Sequence, residues 1–530
     1  MRIAGQHRRL RVQGAPESSA KPGCIRMRTT LAPVVRFIMG AILSAVLIAA
    51  GKKLANAQTP GLATDPWGPV PTKDASLANL APLLLPYLNN GLVFGMPGTD
   101  VGDFWHRTQL TGDWGGSRTY LARHGFFFDL YSISAYQNVT AGGLKTGGSF
   151  VQNTQLSISV DTGRAGLWPG GLLHVALESR FGDSPQSTFT VGTVLPQYYG
   201  LSLPGPLLTH KVLPTEYFLV QSLSTQFSVI LGKIDVLNAF DQTLFGDSYK
   251  YYFANFNFNK TPQAPNISNT TSLAAVGIWR PTHWVTVVAS VLDPNSQADN
   301  LATHAFDKVN IYTASIFSYK VGHLPGQAWA QGVWTNKPKI DLGSPFGALP
   351  PGTGSQALGV LLGSASPQGL PVNFKPNTWV TVGNFSQYLW VKEDSTTIAE
   401  KLGSEKAAPR GVGVFGRAGY APQETNPITR DASIALFAGG LSDHRKYDSF
   451  GVGFYYDGIS GPLKDDIAQL TGNQAAVKNE KGTEISYDFA ITPAIRLIPS
   501  YQHIWNPLTA EAVTNQRGAD VFNIRLGTTW

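Results

Sequence analysis

The chain has 530 residues, a formal net charge of +7, one cysteine and 43% hydrophobic residues, which suits one large domain or several ordinary ones. The charge is local: ten of the 41 basic residues but one of the 34 acids lie within 1–57, leaving 31 and 33 from residue 58 onward, a net of −2. That balance excludes a basic nucleic-acid-binding protein, and with Cys24 confined to the same leader it leaves no cysteine for a disulfide framework or a thiol nucleophile.

Residues 1–57 read as an export signal. A basic region ending at Arg36 precedes the apolar run FIMGAILSAVLIAA (37–50) and the small-residue site Ala55-Asn56-Ala57, which predicts cleavage after about Ala57. The apolar run is shorter than the ~20 residues of a helical span; the alternative is a short membrane anchor, since Lys52 and Lys53 lie between the run and the cleavage site. Met27, inside the basic leader, is a second candidate start. Residues 58–109 are rich in Pro and Gly (TPGLATDPWGPVPTKD, then LAPLLLPYLNNGLVFGMPG), so no long helix runs through them; they read as an irregular periplasmic lead-in.

In 110–125, LTGDWGGSRTYLARHG, Asp113 or Thr111 can cap a short helix over 114–123, and Gly125 supplies a left-handed stop. The segment reads as a structural piece at the periplasmic mouth. From Phe126 the pattern becomes short segments with apolar residues at every second position, the signature of half-buried strands. Sixteen such segments follow, at 126–136, 153–161, 172–181, 215–223, 226–234, 271–279, 283–292, 312–320, 328–336, 377–391, 410–420, 431–440, 449–458, 483–492, 494–502 and 520–530.

Connections after odd-numbered segments are long (182–214, 235–270, 293–311, 337–376, 459–482, 503–519), while most after even-numbered ones are short. Short periplasmic turns and long outer loops are the asymmetry of an outer-membrane barrel. The long connection 392–409 breaks the rule, which leaves a local miscount or an inserted periplasmic helix. Segment 483–492 splits into apolar Ile485, Tyr487, Phe489 and Ile491 and polar Glu484, Ser486 and Asp488, as a wall between lipid and water requires. Trp279 and Trp284 flank one short turn and Trp530 ends the chain, placing aromatic rings where a membrane-interface girdle needs them. The predicted fold is all-β, a 16-stranded antiparallel transmembrane β-barrel over 126–530 with a short N-terminal periplasmic helix.

The stretch from Leu110 to Gly143 resembles the carbohydrate-selective porin (OprB) family, whose members carry a GDWGG-x-R segment before the first strand and an N-x-x-x-GG turn after it. Here these are Gly112 to Gly116, Arg118, Asn138, Gly142 and Gly143. WPGGLLHVALESRFGD (168–183), FSVILGKIDVLNAFD (227–241) and FGRAGYAPQETN (415–426) are similar to later segments of that family. The resemblance covers about Leu110 to Trp530 and implies an outer-membrane barrel that passes sugars by diffusion, with sugars and outer-membrane lipid as partners, as a monomer or homotrimer.

Side-chain parity nominates the pore lining. With Leu173, Val175, Leu177 and Phe181 toward lipid, His174, Glu178 and Arg180 face the lumen, and the same rule sends Asp161, Glu484, Asp488, Arg496 and Arg525 inward. A charge facing lipid near the midplane would cost about 2–4 kcal/mol, which favours this assignment. Glu178 and Arg180 lead into loop 182–214, long enough to fold back as a constriction. Lys233 and Asp235, before the next long loop, are further candidates, although Lys233 shares the phase of Phe227, Val229 and Leu231. Arg417 faces the way of Gly411, Gly413 and Gly419, a small-residue row that would leave room for a long side chain. The plain alternative for each is a cross-strand ion pair or a solvated wall charge. No metal-ligand spacing, phosphate-cradling glycine loop or specific glycosidase pair stands out, so no cofactor and no enzyme activity are expected. The competing function is a secreted all-β carbohydrate-binding or carbohydrate-cleaving protein; an energised receptor would need about 22 strands.

Overall fold

The computed structural model describes residues 102–182, 191–195, 212–241, 243–245, 252–300, 305–392, 410–472 and 474–530. The export signal, nearly all of the lead-in, most of loop 182–214 and the insertion expected at 392–409, apart from Lys392, lie outside them.

Sixteen strands close into one antiparallel barrel: β1 (Phe126–Gly142), β2 (Gly147–Asp161), β3 (Gly171–Gly182), β4 (Val212–Ser222), β5 (Phe227–Asp235), β6 (Thr271–Thr282), β7 (Val285–Leu292), β8 (Asn310–Val321), β9 (Leu324–Thr335), β12 (Thr378–Val391), β13 (Gly411–Tyr420), β14 (Ile428–Gly439), β15 (Ser449–Ile459), β16 (Glu480–Thr492), β17 (Ile495–Trp505) and β18 (Gly518–Thr529). The two-residue strands β10 (Lys339–Ile340) and β11 (Phe374–Lys375) pair within the loop after β9. β1 pairs with β18 from Tyr131↔Thr529 to Gly142↔Ala519, so no edge is left open. Each sixteenth of the sequence pattern corresponds to one barrel strand. β1 and β2 run further than the alternation suggests, because the polar Gln137 and Asn138 still pair with Ser149 and Gly148. Gly142 and Gly143, at φ 66° and 68°, then turn the chain back.

The wall is inverted relative to a soluble protein. Ile485 and Tyr487 expose 49% and 40% of their surface while Glu484 and Asp488 expose 0% and 1%. On β3, Leu173, Val175 and Phe181 are exposed and His174, Glu178 and Arg180 buried. A solvated sandwich would bury the first set and expose the second, so this arrangement excludes the soluble alternative and requires lipid outside. No helix among the described residues is long and apolar enough to cross a membrane. Trp279 and Trp284 lie exposed at the short-turn rim and Trp379 and Tyr420 at the long-loop rim.

The interior is not empty. The loop after β5 folds inward, carrying short helices α1 (Val236–Ala239), α2 (Phe256–Asn259) and α3 (Ala264–Ile267). Its Phe245, Phe253 and Phe258 pack with the wall residues Tyr388, Phe415, Phe437 and Tyr455. Glycines on the inner face make this fit: a Cβ at Gly413, Gly451 or Gly453 would stand 2.3, 2.6 or 2.5 Å from the ring of Phe245, Phe253 or Phe258. The small-residue row near Arg417 therefore accommodates loop rings at Gly413, not a long side chain reaching into open pore. In a second apolar cluster, α4 (Gly354–Leu361) and α5 (Gly461–Leu470) from two other long loops pack through Leu361, Leu463 and Ile467 with Leu237, Ala254 and Phe256 of the inner loop.

At the short-turn rim the GDWGG segment ties the two chain ends of the barrel together. A 3₁₀ turn, Trp114–Gly116, leads into helix α6 (Ser117–Arg123). The helix starts at Ser117, later than the sequence suggests, because Gly115 and Gly116 take φ 67° and 97°. Asp113 Oδ1 accepts from Thr119 N (2.7 Å) and Thr119 Oγ1 (2.8 Å), so it satisfies a first-turn N–H of the helix without being its N-cap, which is Gly116. Arg118 lies 4.3 Å from the Trp114 ring centroid and donates to the Trp530 carbonyl (2.9 Å), while Leu110 N donates to Thr529 O (2.8 Å).

Candidate functional site

Two sectors of the inner wall carry the charges: β2–β4, and the run from β9 round to β18. On β2–β4 the polar side chains bond mainly to one another. Asn153 Nδ2 donates to Glu178 Oε1 (2.6 Å), Gln155 Nε2 lies 3.4 Å from Glu216 Oε1, and Ser159 Oγ lies 2.8 Å from His174 Nδ1. His174 stacks on Phe218 with centroids 4.7 Å apart and planes 25° apart. Arg180 is directly opposite Asn153 in the β2–β3 register, one inward position beyond Glu178. Strand alternation thus sets carboxylates, amides, a guanidinium and an aromatic face along one strip, a set of groups suited to sugar hydroxyls and a sugar ring.

The second sector holds the inward-folded loop. Asp241, at φ 55°, accepts from Gln331 Nε2 (2.7 Å), Asn384 Nδ2 (2.8 Å), Thr261 N (2.7 Å) and Arg417 Nε (3.2 Å). Arg417 also donates to Phe258 O (2.8 Å) and Asp241 O (3.2 Å), and is buried. Further round the wall, on β16 and β17, Glu484 accepts from Ala254 N and Asn255 N, both at 2.8 Å, and Gln502 accepts from Asn255 Nδ2 (3.0 Å). Arg525 donates to Tyr252 O. Arg417, Glu484 and Arg525 all face inward, yet each is bonded to loop backbone.

Four further nominees serve structure. Asp161 accepts from Gly163 N (3.0 Å) and Arg164 N (3.2 Å), shaping the turn to β3. Asp235 Oδ1 accepts from Leu237 N (2.9 Å) at the start of α1. Asp488 and Arg496 form a buried pair, Nη2 to Oδ2 2.6 Å, and Arg496 also donates to Tyr447 O (2.6 Å).

Lys233 requires a correction. It pairs directly with Tyr217 on β4 and Leu273 on β6, while its neighbours Gly232 and Ile234 lie opposite the inward-facing Phe218 and within the inner apolar cluster. Lys233 therefore sits on the outer phase, as its spacing from Phe227, Val229 and Leu231 implied. Residues 297–300 cover it, and its ammonium donates to the carbonyls of Gln297, Ala298 (3.2 Å) and Asn300 (2.9 Å). Its burial reflects a loop folded over the wall, not a place in the lumen.

The sequence reading missed Asp241, Glu216, Gln331, Asn384 and Gln502. Parity could have placed Glu216, Gln331, Asn384 and Gln502 inside, since each sits on a strand; Asp241 lies in a loop, where no period exists, although it ends the quoted stretch FSVILGKIDVLNAFD. Of loop 182–214, Val191–Leu195 are described; they are buried except at Val194, and Gly192 O accepts from Thr509 N (2.6 Å). Among the described residues no group of His, Cys, Asp and Glu is placed to hold a metal ion. In the outer loops, Lys339 donates to Asn266 O of the inner loop, and burial, with Lys337 nearby, lowers its pKa to about 8.

The family model for carbohydrate-selective porins, OprB family, matches residues 145–529. A high-pH structure of Pseudomonas putida OprB is similar to this fold with a TM-score of 0.65 at 15% identity, over 81% of this chain and 100% of that one. Its low-pH structure gives 0.47 at 14% identity over 80% and 99%, and Pseudomonas aeruginosa OccK11 (OpdR) gives 0.40 at 7% over 77% and 97%. No curated protein sequence matches the chain. The high-pH structure bears on the fold, which is that of a porin, and the family match carries the function: an outer-membrane sugar channel, not an enzyme. With more than half of its length in that match, the chain belongs to the carbohydrate-selective porin (OprB) family.

Proposed function

We propose that mono- and small oligosaccharides of the glucose type diffuse passively along the β2–β4 sector, touching Glu178 and Arg180 with Asn153, Gln155, Glu216 and the His174–Phe218 stack beside them. The observation that supports this reading is the contrast in partners. Side chains of this sector bond mainly to other wall side chains, which can exchange hydrogen bonds with a passing hydroxyl, whereas those of the other sector hold loop backbone. Exchange of one hydrogen bond for another nets about 1 kcal/mol, weak enough for solute to leave, as conduction requires. One chain closes a whole barrel, so one copy is one pore in a monomer or a homotrimer. Residues 1–57 serve as the export signal, removed after about Ala57.

Liposome swelling with a panel of mono- and disaccharides tests the path. Glu178→Ala and Arg180→Ala are expected to change glucose flux about threefold to tenfold, the effect of losing one sugar hydrogen bond. Both variants should still migrate as folded, heat-modifiable barrels. Equal swelling rates for wild type and both variants would remove this sector from the sugar path.

A further inference from the structure

The outer face of the wall is apolar over most of its height, but at the long-loop rim of β13–β17 it carries a band of cations and aromatic rings. Tyr420 pairs with Arg430, Arg430 with Gly458, Tyr456 with Lys481, and Lys481 with Trp505. Directly paired residues share a face, and Arg430 and Lys481 are exposed, so these side chains form one continuous strip toward the membrane. The strip is shaped. Arg430 lies across Gly458, where a Cβ would stand 2.8 Å from its Cγ, which directs the guanidinium along the strip. Lys481 Nζ lies 5.6 Å from the Trp505 ring centroid. Lys464 of α5 reaches the same place, donating to Asn479 Oδ1 (2.5 Å), while Asn479 Nδ2 donates to Tyr456 OH (2.6 Å).

The strip itself is cationic: Asp457, next to Tyr456, points inward and is buried, and Asp520, paired with His503 two positions along β17 from Trp505, is held by His503 Nδ1 (2.6 Å) and Tyr501 OH (2.7 Å). Burial and the nearby Arg430 hold the Lys464 pKa below the usual lysine value, against the pull of Glu511 and Asp465. Across the barrel, the same rim presents Phe150, Phe181 and Val212, and the Lys233 ammonium on that side is taken by loop carbonyls. Cations on a lipid-facing wall are costly unless they lie at headgroup depth, where anionic groups meet them.

We propose that this strip binds the phosphate groups of an outer-leaflet glycolipid headgroup, with Arg430, Lys464 and Lys481 on the phosphates and Tyr456 and Trp505 against the adjoining sugar. Charge complementarity and depth both select this occupant: the strip lies on the lipid side of the wall, at the rim that carries the long outer loops. An asymmetric outer leaflet rich in phosphorylated glycolipid would then anchor the barrel on one side.

The test uses the full chain, folded and placed in phosphatidylcholine nanodiscs containing bisphosphorylated lipid A, with retained lipid counted by native mass spectrometry. The Arg430→Gln/Lys481→Gln double variant is expected to retain about tenfold less lipid A, while Arg280→Gln/Lys320→Gln at the opposite rim retains as much as wild type. Dephosphorylated lipid A should be retained no better than phosphatidylcholine. Heat-modifiable migration of both variants establishes that they fold. Equal retention by wild type and the first double variant would overturn the proposal, as would undiminished retention after dephosphorylation. So would displacement of lipid A by 10-fold excess inorganic phosphate, which would make the strip a free-anion site.

Discussion

The two inner sectors of this barrel hold equally buried charges that do different work. On β2–β4, Glu178 and His174 bond to Asn153 and Ser159 of the neighbouring strand. On β13–β18, Arg417, Glu484 and Arg525 bond to the backbone of a loop that has crossed the lumen. Both arrangements satisfy the rule that a buried charge needs a partner, and both follow from the same alternation. The difference teaches that inward parity identifies a lumen charge without saying whether solute or loop will meet it.

Breaking the loop anchor should produce the largest effect. Asp241→Ala removes the acceptor of Gln331, Asn384, Thr261 and Arg417 and leaves Arg417 buried without its carboxylate. Loss of one partner of such a pair costs about 3–5 kcal/mol. The expected result is a lower thermal midpoint in detergent, with a larger single-channel conductance in planar bilayers as the loop leaves the lumen. Unchanged conductance in a folded variant would show that the loop stays in place by its phenylalanines alone.

A milder change tests those rings. At Gly451 a Cβ would stand 2.6 Å from Phe253 Cζ, so Gly451→Val should destabilise by about 1–3 kcal/mol through overpacking. On the β2–β4 sector, where Ser157 is half-buried, Ser157→Ala should stay within about 0.5 kcal/mol. Denaturant titration of the two variants side by side measures the contrast; equal losses would mean that the loop is not packed as a core.

The architecture was legible in the residues because a strand writes its period into the chain. Leu173 and His174 are adjacent and face opposite media, and repeating that alternation sixteen times yields the barrel, its turns and its inner face. Arg417 marks where legibility ends. Its inward direction follows from spacing, but its partner Asp241 is 176 residues earlier, in a loop with no period. The glycines at 413, 451 and 453 read as open space when viewed along one strand; they are filled by rings from elsewhere. Lys233 was ambiguous for the complementary reason: spacing put it on the outer phase, and only a loop covering that face makes a lysine there affordable.

The smallest effect should come from the contact that joins the outer loops to the inner one. Lys339 of β10 donates to Asn266 O, in α3. Burial, with Lys337 nearby, lowers its pKa from 10.5 to about 8. A depressed lysine pKa in the folded chain means that the unfolded chain binds more protons between about pH 8 and 10.5, so stability from this group rises with pH across that window and is flat below it. Lys339→Met removes the titration and keeps the apolar stem. Thermal midpoints measured at pH 7, 8, 9 and 10 should therefore rise for wild type relative to Lys339→Met as pH increases, by a modest amount because the amine keeps its acceptor throughout. Parallel profiles would mean that the ammonium is solvated, and that the outer loops do not press on the inner loop through this residue.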